Sequence, residues 1–230
     1  MDYRQTILIL SELVTLLLVL PVHECAHALV AKWYGDDTAE RMGRLTLNPI
    51  AHLDPLGALL MVTTGFGWAK PVPVNPLRFK KQRQGIAVVS LAGPVSNILA
   101  AFVAAFAYAV IMHSKTGWEA YHNYSYHGET SPMFTTLLLL IYLVQVNVGL
   151  AIFNMIPIPP LDGSKVLSYF TSSEFDRWAY RHQREIQIGF LVFILAMNVI
   201  PSKYNPLYYI RTAVSDLIWA SVSWIPEYKN

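Results

Sequence analysis

Residues 16–33 read LLLVLPVHECAHALVAKW, an apolar run that carries two histidines and a glutamate in its middle. Extended outward, the run covers Ile7 to Ala31 despite Ser11 and Glu12. It supplies the roughly 20 apolar residues that a helix needs to cross a hydrocarbon core about 30 Å thick. The whole chain agrees with that reading. Of its 230 residues, 54% are hydrophobic and only 14% charged, where soluble domains carry about 25% charged residues. Mean hydropathy is +0.37. Too few charges remain to cover a water-facing surface, and so apolar a chain is not intrinsically disordered. Cys25 is the sole cysteine, which excludes a disulfide scaffold. A net charge of +2, carried by dispersed basic residues, forms no nucleic-acid-binding stripe. The composition therefore points to an all-α integral membrane protein whose surroundings are the lipid bilayer.

Further apolar stretches mark a multi-pass helical bundle. A second span is expected from Ile86 to Met112 and a third from Phe134 to about Ile156, where Pro157, Pro159 and Pro160 end regular helix. A short fourth span, Ile186 to Ile200, and a fifth, Leu207 to Ile225, bring the total to about five. The first run is too long for a removable leader and leads straight into His23.

The stretch Ala51 to Ala69 is apolar but broken by Pro55, Gly57, Gly65 and Gly67. Charge placement decides how to read it. Lys32, Arg41, Arg44, Lys70, Arg78, Lys80, Lys81 and Arg83 lie between the first two spans, and Lys165, Arg177, Arg181 and Arg184 follow the third. The segment His113 to Met133 has Lys115 alone. Positive residues mark the cytoplasmic side, so both basic segments belong there and His113 to Met133 lies outside. Ala51 to Ala69 must then enter and return, as a re-entrant element buried against protein, with a hairpin of extended strands as one form. A strand edge there would offer a rail for an unwound substrate. The amino terminus is expected outside and the carboxy terminus inside.

His23-Glu24-Cys25-Ala26-His27 has the form H-E-x-x-H. Positions four apart stand about 40° apart around a helix, so both imidazoles can hold one ion while Glu24 projects beside them toward a water. Two histidines leave a hydrolytic zinc one protein ligand short. The bland alternative is a pair of hydrogen-bonded histidines packed between helices with Glu24 as their partner. Placement inside an apolar span favours the functional reading, because charged and polar groups are costly there. Asp162, in NMIPIPPLDG (Asn154 to Gly163), is the candidate third ligand. The prolines keep the preceding chain out of helix, and the carboxy-terminal ends of the first and third spans face the same side. The alternative is that Asp162 merely opens a helix running through Lys165 to Phe170.

Together these stretches resemble the site-2 protease family, membrane-embedded zinc metalloproteases that cut transmembrane segments in regulated intramembrane proteolysis. The resemblance rests on HECAH, GRLTLNPIAHLDPLG (Gly43 to Gly57), AKPVPVNPLRF (Ala69 to Phe79), GPVSN (Gly93 to Asn97) and NMIPIPPLDG. It implies one zinc per chain on His23, His27 and Asp162, with Glu24 as general base. It further implies that Asn154 is a polar catalytic residue, suited to stabilise an oxyanion or, alternatively, to bond between helices. Asn97 and Gly93, in a Gly-x-x-x-Asn motif, would lie near the substrate. The chain has no room for the PDZ or CBS domain of larger members.

The expectation is thus one membrane domain over residues 1–230, with a catalytic core at 7–165 and accessory helices at 186–225. It would be a zinc endopeptidase of the cell membrane, with its site toward the cytoplasm and transmembrane proteins as substrates. The rival is a transporter, or an inactive adaptor of the same fold.

Overall fold

The computed structural model describes residues 3–64, 67–199 and 204–228. The chain opens with α1 (Tyr3–Val14) and α2 (Leu20–Trp33), joined by a π-helical turn over Thr15–Val19. Pro21 has no amide hydrogen to give, and the turn before it widens: the Leu20 N–H bonds Thr15 O, five residues back. Two single turns, α3 (Thr38–Arg41) and α4 (Pro49–His52), and a short helix α5 (Pro55–Thr64) precede α6 (Gln82–His113). Then come α7 (Lys115–His127), α8 (Pro132–Asn154), α9 (Asp162–Phe170), α10 (Ser173–Arg181), α11 (Gln183–Val199) and α12 (Pro206–Val222). Their starts follow from local chemistry: Ser131 accepts from Phe134 N with Pro132 behind it, and Asn205 accepts from Leu207 N with Pro206 behind it.

Among the described residues, three helical stretches are long and apolar enough to cross a membrane: Ile9–Trp33, Gln82–His113 and Pro132–Asn154. The first and third run parallel. The Tyr3 hydroxyl bonds Thr135 at one end, and at the other end Asp162, just beyond α8, meets the histidines of α2. Small residues of α6 let its neighbours approach closely: Ala101, Ala104 and Ala105 pack against Val144 and Val148 of α8 and Ile218 and Val222 of α12. A second cluster, Ala31, Phe79 and Val89, fastens the end of α2 to the start of α6.

Between Ala51 and Ala69 the described residues form no strand, and the expected extended hairpin gives way to α5. Asp54 caps that helix by accepting from Gly57 N at 2.8 Å, and Pro55 sits at its first position. An Asp-Pro pair before an apolar run is a helix start signal. The chain does come back to where it left, since Leu53 bridges Ala69 and Lys70 N bonds His52 O at 2.8 Å. Gly57 faces the carbonyl of Trp68 so closely that a Cβ would stand 2.2 Å from it. Among the described residues this pair is the one bridge of the segment, and with α5 helical no strand edge lies along 55–64 for a substrate.

The terminal helices also depart from expectation. α11 and α12 have 17 residues each, about 25 Å of helix. Ile200, the expected end of the fourth span, lies outside the described residues. α12 runs parallel to α6: Trp219 stacks edge-on to Tyr108 at 5.2 Å, and Tyr228 N bonds Met112 O at 3.1 Å. The carboxy-terminal residues therefore end beside Met112, at the end of the bundle that also holds Tyr3 and Thr135. Five alternating crossings would put them at the opposite end. α12 takes this direction from its packing on α6, and α11 before it opens with the polar Gln183, Arg184 and Glu185. The segment expected as an outer loop also carries α7, closed by Gly128 at φ +70°.

Ala105 is fully buried and Val103 is 65% exposed on the other side of the same helix. Replacing Ala105 by Leu overpacks the seam and should cost about 1–3 kcal/mol. Thermal unfolding of detergent-purified protein should show a lower midpoint for Ala105→Leu and none of that loss for Val103→Leu.

Candidate metal centre

His23 and His27 lie one turn apart on α2, and both are buried with Asp162. Three atoms converge there. His23 Nε2 and His27 Nε2 are 3.1 Å apart, and Asp162 Oδ2 is 3.3 Å from the first and 3.2 Å from the second. The opposite nitrogen of each ring fixes its tautomer. His27 Nδ1 donates to Val89 O at 2.7 Å, since a carbonyl only accepts. His23 Nδ1 stands 2.5 Å from Asn97 Oδ1. The Asn97 amide is oriented in turn, because its Nδ2 donates to Asn147 Oδ1 at 2.8 Å and Asn147 Nδ2 donates to Leu143 O at 2.8 Å. Nδ1 of His23 is therefore the donor as well. Both Nε2 atoms present bare lone pairs to each other and to a carboxylate.

Three acceptors at contact distance repel unless a cation lies among them. Donors about 2.0–2.1 Å from one tetrahedral zinc stand about 3.3 Å apart, so the observed triangle suits such an ion. Two imidazoles and one carboxylate leave a fourth position open, the donor set of hydrolytic zinc sites. Gly93 makes the room: a Cβ there would lie 2.4 Å from His27 Nε2 and 2.6 Å from His23 Nε2. Pro94 beside it sits inside α6 and deprives the Ser90 carbonyl, four residues back, of a helical donor.

Asp162 reaches the site from the first turn of α9. Its Oδ1 accepts from Lys165 Nζ at 3.3 Å, which leaves Oδ2 for the imidazoles. Gly163 allows this approach, since a Cβ would stand 2.2 Å from Met155 O and 2.7 Å from Ile156 O. Asp162 is the first residue of α9 but not its cap, for Leu161 holds that position and no side chain caps the helix; the Asp162 carboxylate goes to the histidines instead.

Glu24 accepts from Val72 N at 2.8 Å. Pro71 and Pro73 have no amide hydrogen, so Val72 carries the one backbone donor between them. Three residues on, Asn75 N donates to Asp36 Oδ2 at 2.6 Å, and the proline-rich stretch is fastened to the end of the first span at two points. Burial of Asp36 would raise its pKa, but bonds from Thr38 and Asn75 and the nearby Arg78 hold its carboxyl below the usual range.

The other residues named from sequence are not among the three converging donors. Asn97 is fully buried and bonds His23 and Asn147. Gly93 lies against the imidazoles. Asn154 donates to Leu150 O of its own helix at 3.1 Å and is not one of the converging residues. Asn147, Val89 and Val72 went unnoticed in the sequence. An amide within an apolar span was a legible signal for Asn147; backbone groups such as those of Val89 and Val72 carry none.

The model of peptidase family M50 matches residues 11–197. Over 156 residues the chain is 46% identical to a Bacillus subtilis protein named "Putative zinc metalloprotease YwhC", covering 67% of this chain and 66% of that protein. Over 186 residues it is 27% identical to the Mycolicibacterium smegmatis "Putative zinc metalloprotease Rip2", covering 79% of this chain and 64% of that one. The chain spans just under two thirds of the length of these curated relatives. No solved structure matches it.

Two substitutions probe the centre without touching a ligand. Gly93→Ala should abolish zinc retention, read by metal analysis of purified protein. Asn97→Leu frees the His23 ring and leaves buried groups unpaired, and should weaken zinc binding about 10- to 100-fold in a chelator competition.

Proposed function

The chain belongs to peptidase family M50, the site-2 proteases, and from that premise we propose that it is an intramembrane zinc endopeptidase cutting in or near membrane-spanning segments of other proteins. The observation that carries the reading is the triangle of bare donor atoms, 3.1–3.3 Å on a side, two of them on a helix of membrane-crossing length. In this proposal His23, His27 and Asp162 are the ligands. A zinc ion held there supplies Lewis acidity, activating a water and polarising the scissile carbonyl.

The chain's own residues do the remaining work. Glu24, next to His23, accepts a proton from the attacking water and later delivers it to the leaving amine. The Val72 N–H holds one carboxylate oxygen of Glu24 and so sets its rotamer. Asn154 gives one amide hydrogen to Leu150 O, and its second is the one assigned to a developing oxyanion. Asn97 and Gly93 act on the ligands, the first as a positioning residue for His23 and the second by leaving space.

The basic residues that follow the first and third spans support a site toward the cytoplasm of a cell membrane. His27 and His23 stand about 9 and 15 Å inside the Trp33 end of the first span, deep enough for the bilayer to exclude soluble substrates. We count α12 as a fourth crossing, with α11 not crossing and both chain ends outside. Residues up to Lys165 form the catalytic core of this proposal, and the later helices are accessory.

The test uses nanodisc-embedded protein incubated with a panel of single-span membrane proteins, with and without chelator. Wild type should cleave at least one, chelator should stop it, and Glu24→Gln should retain about one zinc yet cleave none. Cleavage by the Gln variant would remove Glu24 as base; zinc-loaded wild type that cleaves nothing would favour the adaptor or transporter. Val72→Pro deletes the amide while keeping the extended path. It should lower kcat roughly 10- to 100-fold with zinc retained, and Val72→Ala should behave as wild type.

A further inference from the structure

The helix α10 takes no part in the metal centre, and none of its residues is buried. At about 100° per residue, Phe175, Trp178 and Ala179 share one side of α10, while Arg177, Tyr180 and Arg181 lie on the other; His182 ends the helix and Arg184 follows in the first turn of α11. The aromatic side is covered mainly by itself. Phe175 lies 5.8 Å from Trp178, and Trp178 5.0 Å from His182, ring centre to ring centre. Trp178 is still 48% exposed, and Phe170, just before the helix, is 77% exposed.

The position of α10 is fixed by a residue of a membrane span. Arg83, in the first turn of α6, donates to Thr171 O at 3.1 Å and to Asp176 Oδ2 at 2.5 Å, and Thr171 Oγ1 donates to Asp176 Oδ1 at 3.1 Å. These bonds hold the start of α10 at the level where α6 leaves the hydrocarbon. Exposed Lys80 and Lys81 immediately precede α6 at that level. Because Arg83 neutralises Asp176, the outward arginines of this region face only Glu174 and Glu185 as countercharges on their own stretch.

We propose that α10 lies in the plane of the membrane surface, with Phe175 and Trp178 among the outer acyl segments and Arg177, Arg181 and Arg184 on anionic lipid phosphates. Lipid is the occupant because the apolar side is tied to the end of a crossing helix, where the bilayer itself is adjacent. The rim of that side is cationic, as a surface of anionic headgroups requires. α9, which begins with Asp162, reaches α10 through Thr171 and Ser172 alone. The seat of α10 on lipid therefore holds the far end of the Asp162 helix at a set depth. This inference does not depend on the protein being a protease.

The test places a nitroxide at position 175 or 180 in a Cys25→Ser background of the full chain, in nanodiscs of phosphatidylcholine with or without phosphatidylglycerol. Zinc content of each labelled protein reports an intact fold. Position 175 should favour collisions with oxygen over a water-soluble nickel chelate, and position 180 the reverse. Phosphatidylglycerol should deepen position 175, and changing Arg177, Arg181 and Arg184 together to Gln should remove that increment. Equal nickel access at both positions would overturn the proposal. So would a label at 175 immobilised alike in every lipid, which would mean a protein partner, or a depth indifferent to phosphatidylglycerol.

Discussion

Two imidazole lone pairs and a carboxylate oxygen, facing one another across little more than 3 Å in a buried interior, cannot coexist without positive charge among them. Burial leaves bulk solvent little access to screen them, and the rings are kept from turning away by a bond at the opposite nitrogen of each. The remaining architecture can be understood as the means of maintaining that unfavourable convergence. One helix brings the two rings, a second leaves a gap in front of them, and a third ends in a proline-broken turn that delivers the acid.

That arrangement uses small residues where backbones must come close and amides where rings must be oriented. Gly93 and Gly163 act at the two nearest approaches to the centre, and Ala101, Ala104 and Ala105 do the same farther along α6. Buried amides are expensive unless every donor and acceptor is met. In the run from Leu143 O through Asn147 and Asn97 to His23, each group finds its partner. Membership of peptidase family M50 agrees with this donor set, and the curated relatives are named as zinc metalloproteases.

Much of this was legible in the residues. The spacing of His23 and His27, the cost of placing them in an apolar run, and the shared side of Asp162 follow from helix geometry and charge placement. The three long helices were marked by composition alone. What escaped was set by tertiary contact. Ala51 to Ala69 looked irregular because its glycines and prolines suggested turns, yet Asp54 and Pro55 start a helix and Gly57 serves close packing. The direction of α12 depends on contacts to Tyr108 and Met112 that no local pattern announces. Asn97 suggested a substrate contact through its motif, but a polar residue in an apolar helix orients a neighbour as readily as it binds a ligand.

The link from His23 through Asn97 to Asn147 joins three separate helices by their side chains. Its consequence concerns the order of events during biogenesis. A nascent chain that has inserted only its first two hydrophobic segments owns both histidines but has neither the amide that completes the relay nor the aspartate. Such a partial product has no complete cage for metal, so competence arises late, after the third segment has docked in register.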